Sequence, residues 1–229
     1  MKTRRTSERA LSARFNRDYY RQFYFDGRSA VTSRAEMRAR AALIAAYVDH
    51  IGCPVSRVLD AGCGLGLLRA PLRRLLPRAE YTGLEVSEYL CERYGWVQGS
   101  LVDWRSRRPF ELVICYDVLQ YLDDRAAAGA IRNFGRLCRG VLYVTALTER
   151  DWLENCDQRR TDPDVHLRSA AWYRQRLVPA APAEAVPSHR RRLLDPPRRA
   201  ARDLGDGAGL SPLRRAGRTR CAAPRARAC

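Results

Sequence analysis

An α/β fold, a parallel sheet with helices on both faces, is what this sequence predicts, and three observations predict it. The run SRVLDAG reads as a short buried strand entering a glycine-rich bend at Gly62, Gly64 and Gly66, with the helical pattern LGLLRAPLRRLL behind it. A second strand, AEYTGLE at Ala79 to Glu85, ends in a carboxylate 19 residues past Gly66. Strands and helices then keep alternating to Leu147, an order that implies parallel strands joined by crossovers.

Taken in order, the first dozen residues are polar and basic and read as a disordered arm. FNRDYYRQFYFDGR then places six aromatics, Phe15, Tyr19, Tyr20, Phe23, Tyr24 and Phe25, within eleven positions. Tyr19 with Phe23 and Tyr20 with Tyr24 are i, i+4 pairs, one aromatic stripe on a helix. The stripe either packs on the sheet or forms a lid over the ligand cleft, with Tyr20 a candidate to meet an acceptor. Ser33-Arg-Ala-Glu36 is a capping-box pattern opening a helix through AALIAAYV. The helix from Leu65 to Leu76 stops near Pro77, and the one from Ser87 to Tyr94 ends at Gly95. WVQGSLVDW, Trp96 to Trp104, leads toward FELVICYDVLQYLDD, a strand and its loop at Phe110 to Asp124. Ala126 to Cys138 is the next helix and RGVLYVTAL, Arg139 to Leu147, the fifth strand. The domain organisation expected is therefore an N-terminal arm and aromatic helix at 1–32, a ligand-binding domain at 33–177 and a disordered tail at 178–229.

Spacing discriminates among the nucleotide users that share such a bend. A dinucleotide fingerprint needs glycine where Leu67 stands, and a triphosphate loop needs Lys after Gly66. What remains, an acid followed by G-x-G-x-G, resembles the first motif of class I S-adenosylmethionine-dependent methyltransferases, with Asp60, Gly62, Gly64 and Gly66 at the matching positions. The resemblance runs from about Ala35 to Leu147 and implies a Rossmann-like sheet, methyl transfer and S-adenosylmethionine as cofactor. It assigns Glu85, with Val86 beside it, to the adenosyl ribose, as carboxylates at this strand tip do elsewhere. It sets Cys63 within the cofactor bend, Ser100 and Leu101 beside the adenine with Asp103 as the alternative acid, and Tyr116 at the end of the fourth strand. The family form has an acid where this chain has Ser100, and often His where it has Gln120. Since ligands of such sheets bind at the carboxyl ends of the strands, Asp60, Glu85, Ser100 and Tyr116 to Asp117 are expected to converge on one cleft.

The loop after the fourth strand lacks the Pro-Pro-aromatic sequence of enzymes that methylate base or glutamine amides, so the resemblance is to methyltransferases of small molecules. His166, in the polar stretch from Thr148 to Leu177, is the other catalytic candidate; with Asp157, Asp162 and Asp164 it also sketches a metal or acid/base cluster, which turn formation around Pro163 explains equally well. No metal is expected, because the eight cysteines are scattered singly rather than in the close pairs zinc prefers.

Composition limits the remaining classes. The 229 residues suffice for one α/β core, and no apolar run reaches the length of a membrane span. No secretory pattern is visible, so the expected compartment is the cytoplasm with reduced thiols. The formal charge of +17 raises nucleic acid as a partner, but Lys2 is the sole lysine and arginine enrichment is also what a GC-rich gene produces. Beyond Leu177 there is no aromatic, isoleucine or methionine, and the two antiparallel strands that would close the sheet are not legible. We read the tail, as a hypothesis, as a frameshifted segment; translation of the two other frames yielding no alternating strand pattern would refute it. The functional expectation is a methyltransferase of a small-molecule acceptor; its alternatives are an RNA methyltransferase using the basic termini and a cofactor-binding relic without turnover.

Overall fold

Five parallel strands lie in the order β3-β2-β1-β4-β5, so the chain grows outward from β1 in one direction and then reverses. The strands are β1 (Arg57–Ala61), β2 (Glu80–Glu85), β3 (Val97–Gln98), β4 (Phe110–Tyr116) and β5 (Cys138–Thr145). The reversal falls between β1 and β4, where adjacent crossovers depart to opposite faces and leave a crevice at the carboxyl ends. The computed structural model describes residues 11–25 and 30–180, with side chains as far as residue 178. The chain divides into two units, Met1–Leu194 and Asp195–Cys229, and every described residue belongs to the first. Of the arm expected over the first dozen residues, 1–10 lie outside the described residues while 11–12 belong to a helical turn, and of the tail expected at 178–229, with its frameshift hypothesis, 181–229 lie outside them while 178–180 continue a helix.

The helices are α1 (Arg17–Tyr20), continued by a π-helical turn at Arg21–Phe25, then α2 (Arg34–His50), α3 (Arg69–Leu75), α4 (Glu88–Tyr94), α5 (Asp124–Leu137), α6 (Glu149–Glu154) and α7 (Ala170–Ala180). Ser33 caps α2 by accepting from the Glu36 amide, whereas the Glu36 carboxylate turns to the Thr32 hydroxyl, so only half of the expected capping box forms. Asp123 caps α5 through the Ala126 amide, and α4 ends at Gly95 with φ of 70°. Helix α3 begins four residues later than its apolar pattern suggests, because Leu65 and Gly66 remain in the turn that carries the bend.

Alternation along β4 divides the core between two layers. Leu112 and Ile114 face Met37, Ile44 and Val48 of α2 and Leu72 of α3, while Val113 and Cys115 face Ile131 and Phe134 of α5 and Tyr173 and Leu177 of α7. Phe110 shares the second layer with Val113 although three residues separate them. The register shift between Phe110 and Leu112 accounts for this by reversing the pleat. Inside this frame Glu111 accepts from the Ser56 amide and hydroxyl, the Arg57 amide and the Arg139 guanidinium, tying the starts of β1, β4 and β5 together. That satisfaction outweighs burial and holds its carboxyl down at about 2.

A cavity at the carboxyl end of the sheet

The tips of β1, β2 and β4 open onto a cavity of about 760 Å³ of atom-free space, part of it continuous with solvent. Helix α1 and the turns on either side of it close the opposite wall through Phe15, Tyr19, Tyr20 and Tyr24. The aromatic stripe is thus a cover over the cavity rather than packing against the sheet. Tyr19 stacks on Phe23 at 5.0 Å and Tyr20 on Tyr24 at 5.4 Å between centroids, the i, i+4 pairs of the sequence. The cover is fixed by tertiary contacts: Ser87 donates to the Phe15 carbonyl, the Tyr19 and Tyr121 hydroxyls meet at 3.1 Å, and Arg14 pairs with Asp162 and Asp164.

The bend forms with Gly62, Gly64 and Gly66 all at positive φ, which L side chains rarely adopt. Only Gly64 faces open space. A Cβ at Gly62 would lie 2.4 Å from the Val118 side chain and one at Gly66 2.4 Å from the Trp96 indole. The three glycines are therefore not equivalent: Gly62 and Gly64 line the cavity, whereas Gly66 clears room for Trp96, which donates from its indole nitrogen to the Gly64 carbonyl at 2.9 Å. Cys63 is likewise buried off the cavity wall, against Gly83 of β2.

Glu85 lines the cavity at the tip of β2. Its Oε2 accepts from the Gly64 amide at 2.8 Å, and its Oε1 from the Val86 and Ser87 amides at 2.8 and 3.0 Å. Burial raises its pKa and these three amides oppose the rise. A carboxylate offers about four acceptor positions, so with three amides bound it retains capacity for a hydroxyl donor from the cavity. Val86, Ser100, Leu101 and Tyr116 also line the cavity, and Tyr20 lines it from the cover. An acid fixed at a strand tip, an open positive-φ amide bend and an apolar floor at Leu84 and Leu101 are a donor and acceptor set suited to an adenosine.

Asp60 departs from expectation. It lies within β1, not on the cavity wall, and accepts from the Tyr81 hydroxyl, which takes up the carboxylate that was to charge the mouth of the bend. Burial pushes its pKa up to about 7, against the lowering effect of that hydrogen bond. His166 is exposed and outside the cavity, engaged through its backbone amide with the Gln120 carbonyl. It is not among the lining residues, and the Arg14 ion pairs engage Asp162 and Asp164, two of its sketched partners. Asp103 is off the wall as well.

Sequence reasoning placed Asp117 at the cleft without a role and missed Arg168. Asp117 lines the cavity with φ of 52°, the one described non-glycine residue at positive φ. Thr145 holds it there: its carbonyl and hydroxyl accept from the Asp117 amide at 3.2 and 3.1 Å, and its hydroxyl donates to Asp117 Oδ1 at 2.8 Å. Burial raises the Asp117 pKa, countered by hydrogen bonds from Thr145 and Tyr116 and by the Arg40 charge. Arg168, read only as part of a polar stretch, is buried and donates to the carbonyls of Leu119 and Leu122 and to Asp124, pinning the loop under the cavity. A single arginine among many carried no signal, whereas an aspartate directly after a strand-like run was a legible site candidate.

Comparison with known proteins agrees with this geometry. A family model described as a methyltransferase domain matches residues 59–140. The chain is 31% identical over 175 residues to trans-aconitate 2-methyltransferase of Pseudomonas aeruginosa, covering 73% of this chain and 52% of that protein. It is 32% identical over 105 residues to ubiquinone biosynthesis O-methyltransferase of Methylocella silvestris, 40% of each. Among solved structures, DesVI of Streptomyces venezuelae aligns with 25% identity and a TM-score of 0.44, covering 50% of this chain and 52% of that one. The chain spans about half the length of the curated relatives it matches best in coverage. No described helix is long and apolar enough to cross a membrane. Strand order, cavity, Glu85 and the matched domain together make this chain a member of the class I S-adenosylmethionine-dependent methyltransferases.

Proposed function

We propose that the chain transfers a methyl group from S-adenosylmethionine to a small-molecule acceptor bound beneath the aromatic cover. The observation that carries the reading is Glu85, held by three backbone amides against the cavity and beside the open bend at Gly64. The cofactor supplies an electrophilic methyl group, activated by the positive sulfur. The protein's share is then alignment and exclusion of water, which asks little of side-chain acid/base chemistry. Glu85 orients the ribose, the bend lets the chain approach closely, and Phe15, Tyr19, Tyr20 and Tyr24 keep bulk water out. A cavity covered by Tyr19, Tyr20 and Tyr24 and carrying no arginine or lysine among its described lining favours a small molecule over a nucleic acid. The reduced thiols at Cys63, Cys91, Cys115, Cys138 and Cys156 are in keeping with a reducing, cytoplasmic setting.

Calorimetric titration of the full chain with S-adenosylhomocysteine, in parallel with Glu85→Gln, tests the reading. Hydrogen bonds to a charged group contribute about 1.5–3 kcal/mol, so the variant should bind about 10- to 150-fold more weakly. Absence of binding by the unaltered chain would refute the proposal; binding without methyl transfer to any acceptor would identify a relic.

A further inference from the structure

The geometry points to Asp117 as the residue that recognises the acceptor, and to an amine as the acceptor group it recognises. The inference rests on the reading of the cavity as a methyl-transfer site and adds to it the substrate class. Asp117 directly follows β4 and lines the cavity together with Tyr24, Tyr116 and Tyr121. It is the sole described residue other than glycine in the left-handed region, a conformation that costs free energy and persists only where surroundings enforce it. Thr145 is that enforcement, clamping both the backbone amide and one carboxylate oxygen. A strained backbone held by a dedicated hydrogen-bond pair sets this one carboxylate at the cavity.

The chemistry around it selects the partner. Burial keeps the phenols neutral, pushing Tyr121 up to about 12 and Tyr24 well above the ordinary value. Among the described residues the wall carries carboxylates at Glu85 and Asp117, tyrosines and apolar groups, and no arginine, lysine or histidine. Glu85 already accepts from three backbone amides, so Asp117 is the cavity carboxylate with fewer amides bound. The Tyr116 and Tyr121 ring faces are taken by Arg40 at 4.1 Å and Arg14 at 5.4 Å, so it is the carboxylate among neutral phenols that attracts an ammonium group and disfavours an anion, which would lose its hydration and meet like charge. This differs from what the name of the trans-aconitate relative says of that protein, whose named acceptor is an acid.

The step balances without a further reactant. An acceptor ammonium gives one proton to the Asp117 carboxylate, and the freed nitrogen lone pair forms the bond to the methyl carbon. The carbon–sulfur bond breaks with its pair remaining on sulfur, which neutralises the sulfonium. The products are a methylated ammonium and a neutral Asp117, which loses its proton to solvent when the cover opens.

The test uses three probes of one shape, 2-phenylethylamine, 2-phenylethanol and phenylacetate, titrated into the full chain saturated with S-adenosylhomocysteine. The amine should bind at least tenfold tighter than either other probe. Asp117→Asn keeps a residue that tolerates positive φ and should erase that preference while leaving S-adenosylhomocysteine affinity within about threefold. Thr145→Val, which leaves the carboxylate but removes its clamp, should reduce the preference partway, with thermal melting confirming that both variants fold. Equal binding of the three probes, or no binding, overturns the proposal. So does an Asp117→Asn variant that loses affinity for S-adenosylhomocysteine instead, since Asp117 would then serve the cofactor. Failure of the unaltered chain to bind S-adenosylhomocysteine would instead strike the methyltransferase reading itself.

Discussion

The two walls of the cavity are built by different means. On the cofactor wall, Glu85 is held by the amides of Gly64, Val86 and Ser87, two of them its immediate neighbours in sequence. On the acceptor wall, residues far apart in the chain meet through side chains: Tyr19 with Tyr121, Arg14 with Asp162, Asp117 with Thr145. A wall made of backbone amides and strand tips is rigid and depends on few residue identities. One made of side chains from four separate segments adapts to a new acceptor by substitution and opens by breaking a few exchangeable contacts.

Variants in the bend behind the first wall, in β1 and in the cover test that contrast. The largest effect is expected from Gly66→Ala, which combines a left-handed backbone at φ of 66° with a Cβ 2.4 Å from Trp96. Strain of about 1–2 kcal/mol and overpacking of about 1–3 kcal/mol should add to a loss of about 2–5 kcal/mol, read by denaturant unfolding. An unaltered midpoint would mean that Trp96 moves freely and the bend is soft. Asp60→Asn comes next and separates motif from position. Asp60 has a folded pKa raised to about 7 from 3.8, so the native state holds the proton more tightly than the unfolded chain. Stability from this group is therefore full below about 4 and declines as pH rises through about 7. Even a third of that shift is worth about 1.4 kcal/mol, so the variant should gain in melting temperature over the natural chain at pH 8 and lose the advantage near pH 4. Because Asp60 is off the wall, affinity for S-adenosylhomocysteine should stay within about threefold; a tenfold loss would return it to the cofactor site. Smallest is Tyr19→Phe, which removes one hydroxyl pair at the cover, worth about 0.5–1.5 kcal/mol. Stopped-flow release of S-adenosylhomocysteine should quicken about 2- to 10-fold with little change in the association rate, and equal rates would show that the cover does not gate the site.

The glycine bend, the acid at the tip of β2 and the alternation of strands and helices were legible because each is local: a positive-φ turn needs glycine, a buried parallel strand needs apolar residues, and the two must follow one another closely. Less could be read where one residue type serves two ends. Asp60 and Glu85 are both acids at neighbouring strand tips, and only the packing of Tyr81 turns one inward while amides fix the other at the cavity. Likewise, glycine at 66 signals missing bulk, yet only the fold says that an indole from 30 residues onward fills it.

From residues alone followed the class of sheet, its cofactor motif and the presence of an aromatic stripe. Tertiary structure decided that this stripe covers the cavity, that His166 lies outside it, that Thr145 clamps Asp117 and that Arg168 pins the loop beside it. The physical reason is range. Backbone conformation and hydrophobic period are written within a few residues, whereas side-chain partners drawn from opposite ends of the domain acquire neighbours only when the sheet has closed beneath them.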